Sequence, residues 1–210
     1  MKLSEIRPAI DRCRAARDKI DVFGAKGHEF ILGPPYPEEE LLAFEQKHRI
    51  TLPSDYREFL LRVGSGGAGP NYGIFRLGEM DHGHGVSAWN PPDGILGRLS
   101  DPFPHVAPWN DLSLQPDDDL DDEDEYERQL VAFESLYWSS DEVNGAIAIS
   151  HIGCALRIWL VVSGSEAGHL WRDDRADFQG LYPLSAADGG RLSYVSWYTE
   201  WLREAIQQIP

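Results

Sequence analysis

Cysteine is scarce in this chain: Cys13 and Cys154 are the only two in 210 residues. Two thiols make no disulfide framework, so both are expected to be free, in a reducing, cytoplasmic compartment. No stretch approaches the ~20 continuous apolar residues that a membrane-crossing helix needs. Residues 1–20 carry charges throughout and no apolar core, so a secretory signal is not expected there. Basic charge is in short supply as well. Nineteen Lys and Arg stand against 35 Asp and Glu, for a net charge of −16, which makes nucleic acid and anionic membrane poor partners. H-E-x-x-H, Walker A and G-x-S-x-G patterns are all missing. No nucleophile–base or metal set stands out, so the chain is expected to be no enzyme and to need no cofactor.

What the chain does have is aromatic residues and concentrated acid. Seven Trp, eight Tyr and eight Phe within a 42% hydrophobic fraction suffice for a sizeable core. The length suits one domain over 1–210, decorated by a Pro-rich and acidic insertion at about 81–140. Residues 117–127 hold nine carboxylates: Asp117, Asp118, Asp119, Asp121, Asp122, Glu123, Asp124, Glu125 and Glu127. Taking those nine charges from −16 leaves −7, so the acidity is local rather than general. Such a block reads either as a solvated loop or as a surface that attracts a basic protein. The D-x-[DN]-x-[DN]-G pattern of a calcium loop is absent, which counts against calcium.

Periodicity predicts a helix over 3–20, broken or started near Pro8. A short strand is expected at 28–32. A helix over 37–48 follows, where Leu41/Leu42 and Phe44/Glu45 divide between a buried and a wet face. Another begins after Leu52-Pro53 with Ser54 as its cap; Tyr56, Phe59, Leu60 and Val63 form its apolar stripe, and Gly64 ends it. Residues 72–77 read as a strand. Six prolines within 81–116 argue against long regular structure there, and Trp89, Phe103 and Trp109 argue for a packed loop. The acidic run is expected to project into solvent and to nucleate a helix towards Leu130, Phe133 and Leu136. Residues 146–152, 155–162 and 169–173 read as strands, the last two joined by a turn at 163–168. A closing helix over 194–209 is capped by Ser193.

Four features invite a chemical reading. Gly64–Gly69 satisfies G-x-G-x-x-G, but a helix precedes it and a strand follows. That order is wrong for a dinucleotide site, so a helix-ending hinge is expected. Asp81, His82 and His84, with His105 as the nearest further imidazole, are short of the ligands a closed zinc site takes; a polar loop is the expectation, a metal site the alternative. Cys154, beside Gly153 in an apolar run, reads as a buried structural thiol. Trp197 and Trp201 stack on one helical face, as core or as a partner-binding stripe.

Two blocks together resemble the SUKH superfamily, which includes bacterial toxin-immunity proteins and a fungal cell-wall assembly regulator. The first is the Glu-rich helix at 38–48 with Leu52-Pro53, Tyr56, Phe59-Leu60 and the glycine loop. The second runs from Gly153-Cys154 through the apolar strand and Gly168-His169-Leu170-Trp171 to Asp173, Pro183 and the Trp197–Trp201 helix. Trp171 matches the tryptophan of the family's G-x-[VL]-W strand. The resemblance implies an α+β fold: a twisted, mainly antiparallel sheet flanked by helices, with a C-terminal helix. It further implies a non-enzymatic immunity protein that binds and neutralises a cognate polymorphic toxin, often a nuclease and therefore basic. A regulatory protein-binding scaffold, or a small-ligand or metal-binding protein, is the alternative.

Overall fold

A computed structural model describes residues 1–80, 91, 94–117, 119 and 121–210. The fold is α+β. Among the described residues it has helices α1 (Leu3–Ala15), α2 (Ala25–His28), α3 (Glu38–His48), α4 (Ser54–Arg62), α5 (Glu123–Tyr137) and α6 (Tyr194–Gln207). The sheet is formed by β1 (Ala146–Gly153), β2 (Leu156–Val161), β3 (Leu170–Asp173) and β4 (Leu181–Pro183). Its strands lie in the order β1-β2-β3-β4, each antiparallel to the next.

Alternation along the strands sends side chains to two separate cores. Ile147, Ile149, Ile158, Leu160 and Leu170 face a layer built from α1, α3, α4 and α6. Their neighbours Ala146, Ala148, Trp159, Val161 and Trp171 face a second cluster with Met80, Phe103, Val143 and Leu181. This second cover comes largely from the irregular chain before α5, where Phe103 and His105 are buried and Trp109 is half-buried; of the loop aromatics expected to pack, Trp89 lies outside the described residues. Both sheet edges are occupied too. Phe75 N–H donates to the Ile149 carbonyl beside β1, and Trp109 exchanges two backbone hydrogen bonds with Leu181 of β4. Covered edges do not template unwanted strand pairing.

Several local expectations need correction. The first helix starts at Leu3, where Glu5 reaches back to the Lys2 N–H, and it carries Pro8 inside it. The carbonyl that Pro8 cannot serve belongs to Ser4, an exposed residue, so the lost bond falls on the solvent side of the helix. Residues 28–32 are not a strand. His28 ends α2, Glu29 and Phe30 turn through left-handed backbone, and only Leu32 pairs, with Gly67. Phe30 turns inward to stack on Trp201 at 5.9 Å, which an extended strand would not allow. In α3 the buried residues are Leu41 and Glu45, while Leu42 is exposed. The Glu45 carboxylate is tolerated because it accepts from the Leu52 N–H and pairs with Arg57. Pro53, not Ser54, occupies the cap of α4. Of the strand expected at 72–77, only Ile74 makes bridges, to Gly67 and Ser150. β4 was not anticipated from the sequence.

The glycine loop is a crossing point. A Cβ on Gly67 would lie 2.2 Å from the Ile31 carbonyl oxygen, at a φ of +91°. The Gly67 and Ala68 N–H groups are spent on the Ile74 and Ile31 carbonyls, leaving neither to cradle a phosphate. Cys154 is exposed rather than buried. It and Ala155 form the two-residue turn between β1 and β2, both with positive φ, as a tight hairpin demands. Trp197 is buried and Trp201 packs edge-on against His28 and Tyr198, so that pair belongs to the helix-side core.

Candidate functional site: an acidic helix above an open groove

The acidic run divides between an approach loop and the first turn of α5. Asp122 is the N-cap, its side chain accepting from the Glu125 N–H at 3.1 Å. Glu123, Asp124 and Glu125 follow in the first turn, where the helix dipole favours negative charge. Asp117, Asp119, Asp121, Asp122, Glu123, Asp124 and Glu127 are exposed, and Glu125 is half-buried. Glu125 engages Arg128 and Gln129 of its own helix, so it is the least available of the set. Asp118, Asp81, His82 and His84 lie outside the described residues. Among the described residues no group of His, Cys, Asp and Glu is arranged to hold a metal ion.

The rest of α5 explains how those carboxylates are presented. Phe133 and Tyr137 are its buried face; Tyr137 stacks on Trp109 at 5.5 Å and donates to Asn110 Oδ1 at 2.7 Å. At 3.6 residues per turn the opposite face carries Asp124, Glu127, Val131, Glu134 and Ser135 in line. Val131 is 61% exposed and Leu136 57%, both large apolar side chains left in water. Below this face a groove of about 620 Å³ opens between α5 and the β1–β2 hairpin. Its helix side is Val131, Glu134, Ser135 and Trp138; its sheet side is Ala155, Arg157 and Asp173.

A buried ion pair fixes the far end of the helix. Arg175 is fully buried and binds Asp173 through two parallel bonds, Nε to Oδ1 at 2.9 Å and Nη2 to Oδ2 at 2.8 Å. Its remaining nitrogen, Nη1, donates to the carbonyl of Tyr137, which ends α5, and to that of Ser139 just beyond, which also accepts from the Glu142 N–H. Trp159 Nε1 on β2 donates to the same Asp173 carboxylate at 3.1 Å. The sheet therefore holds the C-terminal end of α5 through one guanidinium, whose planar fork suits two acceptor sets at once. Sequence reading had noted Asp173 and missed Arg175. The signal was present in Trp171-Arg172-Asp173-Asp174-Arg175: strand alternation puts Asp173 on the side of Trp171, inside, and a buried carboxylate requires a nearby cation. Arg172 and Asp174 pair separately, at 2.7 Å, with Tyr182 donating to Asp174.

His105 is buried, ringed by Phe103, Trp109 and Trp171, with Nε2 3.1 Å from Glu142 Oε2. Burial, reinforced by the Arg175 charge, pulls its pKa from the usual 6.5 down to about 4. Burial also lowers His28 and raises Glu142. A histidine depressed in the folded state takes up its proton first in the unfolded chain, so stability is lost as pH falls from about 6.5 towards 4. At ~1.4 kcal/mol per unit, His105 alone is worth about 3 kcal/mol over that window. Glu142 works in the opposite sense, since it gains its proton more readily when folded. Urea unfolding of His105→Gln at pH 7 and pH 4.5 is therefore expected to show a pH loss smaller than wild type by at least about 1 kcal/mol. An unchanged loss would remove His105 from the acid response.

An antiparallel α+β protein that displays an acidic helix above an apolar groove is the class defined by these features. The chain matches the model of the SMI1 / KNR4 family (SUKH-1) over residues 35–174, and it belongs to that family. The match runs through the acidic segment and α5 and ends inside the Asp173–Arg175 network. Membership is consistent with an immunity-protein or related role. No curated protein and no solved structure matches the chain. Among the described residues no helix is long and apolar enough to cross a membrane.

Proposed function

We propose that this chain is a cytoplasmic, non-enzymatic immunity protein that binds and neutralises a cognate polymorphic toxin. The whole of 1–210 acts as one SUKH-like domain, with the segment at about 81–140 as its insertion. The partner is a basic protein such as a nuclease, because an enzyme that attracts phosphates carries a positive cleft. The residues assigned to contact are Asp117, Asp118, Asp119, Asp121, Asp122, Glu123, Asp124, Glu125 and Glu127. Neither nucleic acid nor membrane is a partner in this reading, since both would be repelled by a net charge of −16.

One observation supports this reading beyond family membership. Glu123, Asp124 and Glu127 are held outward on a helix whose far end is tied to the sheet by Arg175. A block of fixed charge raises encounter rates with an oppositely charged surface, and a held helix loses little conformational entropy on docking. The test is co-expression with a toxin domain taken from a neighbouring gene. Restored growth together with a stable co-purified complex is expected. Continued growth arrest without a complex would overturn the immunity reading.

A further inference from the structure

The geometry points to a second element of recognition: the groove between α5 and the β1–β2 hairpin receives one large apolar side chain from a basic partner segment whose Lys or Arg residues lie along Asp124 and Glu127. This rests on the proposal that the partner is a basic protein. It adds where that partner is anchored.

Three observations lead here. The groove continues the face of α5 that bears the carboxylates: Asp124 and Glu127 are followed on the same side by Val131, Ser135 and, just past the last turn, Trp138. Charge and apolar surface are thus in register along one helix rather than scattered. Second, the groove has ample room for a large side chain: it is about 620 Å³, with Val131, Trp138 and Ala155 as its apolar lining. Its polar lining is Glu134, Ser135, Arg157 and Asp173, the last already neutralised by Arg175, so apolar surface remains for a side chain to cover. Third, two parts of its lining are tied together. Asp173 is bonded by Arg175 and Trp159, and the Tyr137 carbonyl at the end of α5 accepts from the same guanidinium.

Charge selects the occupant. Residues 123–134 of α5 contain Glu123, Asp124, Glu125, Glu127 and Glu134 against Arg128 alone. A second copy of this chain would bring the same acidic helix and a net charge of −16 to the contact, and like charges facing one another oppose association. A basic segment removes that repulsion and leaves the groove to be filled. Division of labour follows: the carboxylates set how fast the partner arrives, and the buried side chain sets how long it stays.

Short synthetic peptides provide the probe. Each carries lysines flanking a single central Trp, Leu or Ala and is titrated at low salt into the full chain, isotopically labelled for backbone amide spectra. The Trp peptide is expected to bind about tenfold tighter than the Ala peptide, with Leu between them. Shifts at Val131, Ser135, Trp138 and Ala155 should accompany those of the acidic residues. Ser135→Phe, an exposed position whose larger side chain fills the groove, should erase the Trp-over-Ala preference and leave the weaker charge-driven binding. If all three peptides bind equally with shifts confined to 117–127, the anchor groove is wrong while an acidic partner surface stands. If none binds at low salt, the basic-partner reading falls and the groove assignment falls with it. Concentration-dependent self-association blocked by Ser135→Phe would replace the basic segment with a second copy of the chain.

Discussion

Arg175→Met is expected to destabilise the protein by about 3–5 kcal/mol, because it removes one partner of a buried ion pair. The Asp173 carboxylate, itself almost fully buried, would keep only Trp159 Nε1 and the residue-175 backbone N–H as donors. The carbonyls of Tyr137 and Ser139 would lose their shared donor as well. The double replacement Arg175→Met with Asp173→Asn should recover part of the loss, since no charge is then stranded in the interior. Hydrogen exchange should locate the damage: amides of α5 lose protection before those of α6, whose contacts lie with α1 and α4. Urea unfolding of the single and double variants decides the matter. A single-variant loss below about 1 kcal/mol would mean that the guanidinium is dispensable to the fold.

Reversing charge at Asp121, Asp124 and Glu127 to lysine is expected to slow association with a basic toxin by about 10- to 100-fold at low salt. The three side chains are exposed, and Asp122 is spared because it caps the helix. Stability should fall by no more than about 1–2 kcal/mol, the result of placing cations near a positive helix end. Dissociation should change far less than association, and the difference should shrink as salt screens the surface charges. Stopped-flow association rates across a salt series measure this directly. Identical rates at low salt would remove residues 117–127 from the contact. This outcome is separable from the Ser135→Phe result, which reads lifetime instead of approach.

Much of the sheet and most helices were legible along the chain. Residues 146–152 and 155–162 carry enough β-branched and aromatic side chains to read as strands, and their alternation assigns each residue to a face. Ser193 before an aromatic, apolar stripe marked the start of α6, and Leu52-Pro53 before Tyr56 and Phe59 marked α4 to within a residue. The failures share a cause. Phe30, Glu45 and Cys154 each follow a demand that comes from elsewhere in the fold: an aromatic stack with Trp201, an ion pair with Arg57, and a hairpin turn that carries the thiol into water. β4 is three residues long and owes its pairing to Trp171, Arg172 and Asp173, so its own sequence bears little strand signal. For the candidate site, the carboxylates were visible as a run of letters, and their helix was expected. The groove beneath was not.

Local chemistry by itself determined where the charge lies, which runs alternate, which stripes repeat at helical spacing, and that the chain resembles the SUKH superfamily. These are properties of neighbours along the chain, where side-chain periodicity and capping act over a few residues. Only the tertiary structure decided that Arg175 reaches 38 residues back to the end of α5, that His105 is buried among Phe103, Trp109 and Trp171, and that Val131 and Ala155 line one open groove. Each depends on groups brought together by closing long loops around a shared core, and no periodicity encodes a partner that distant.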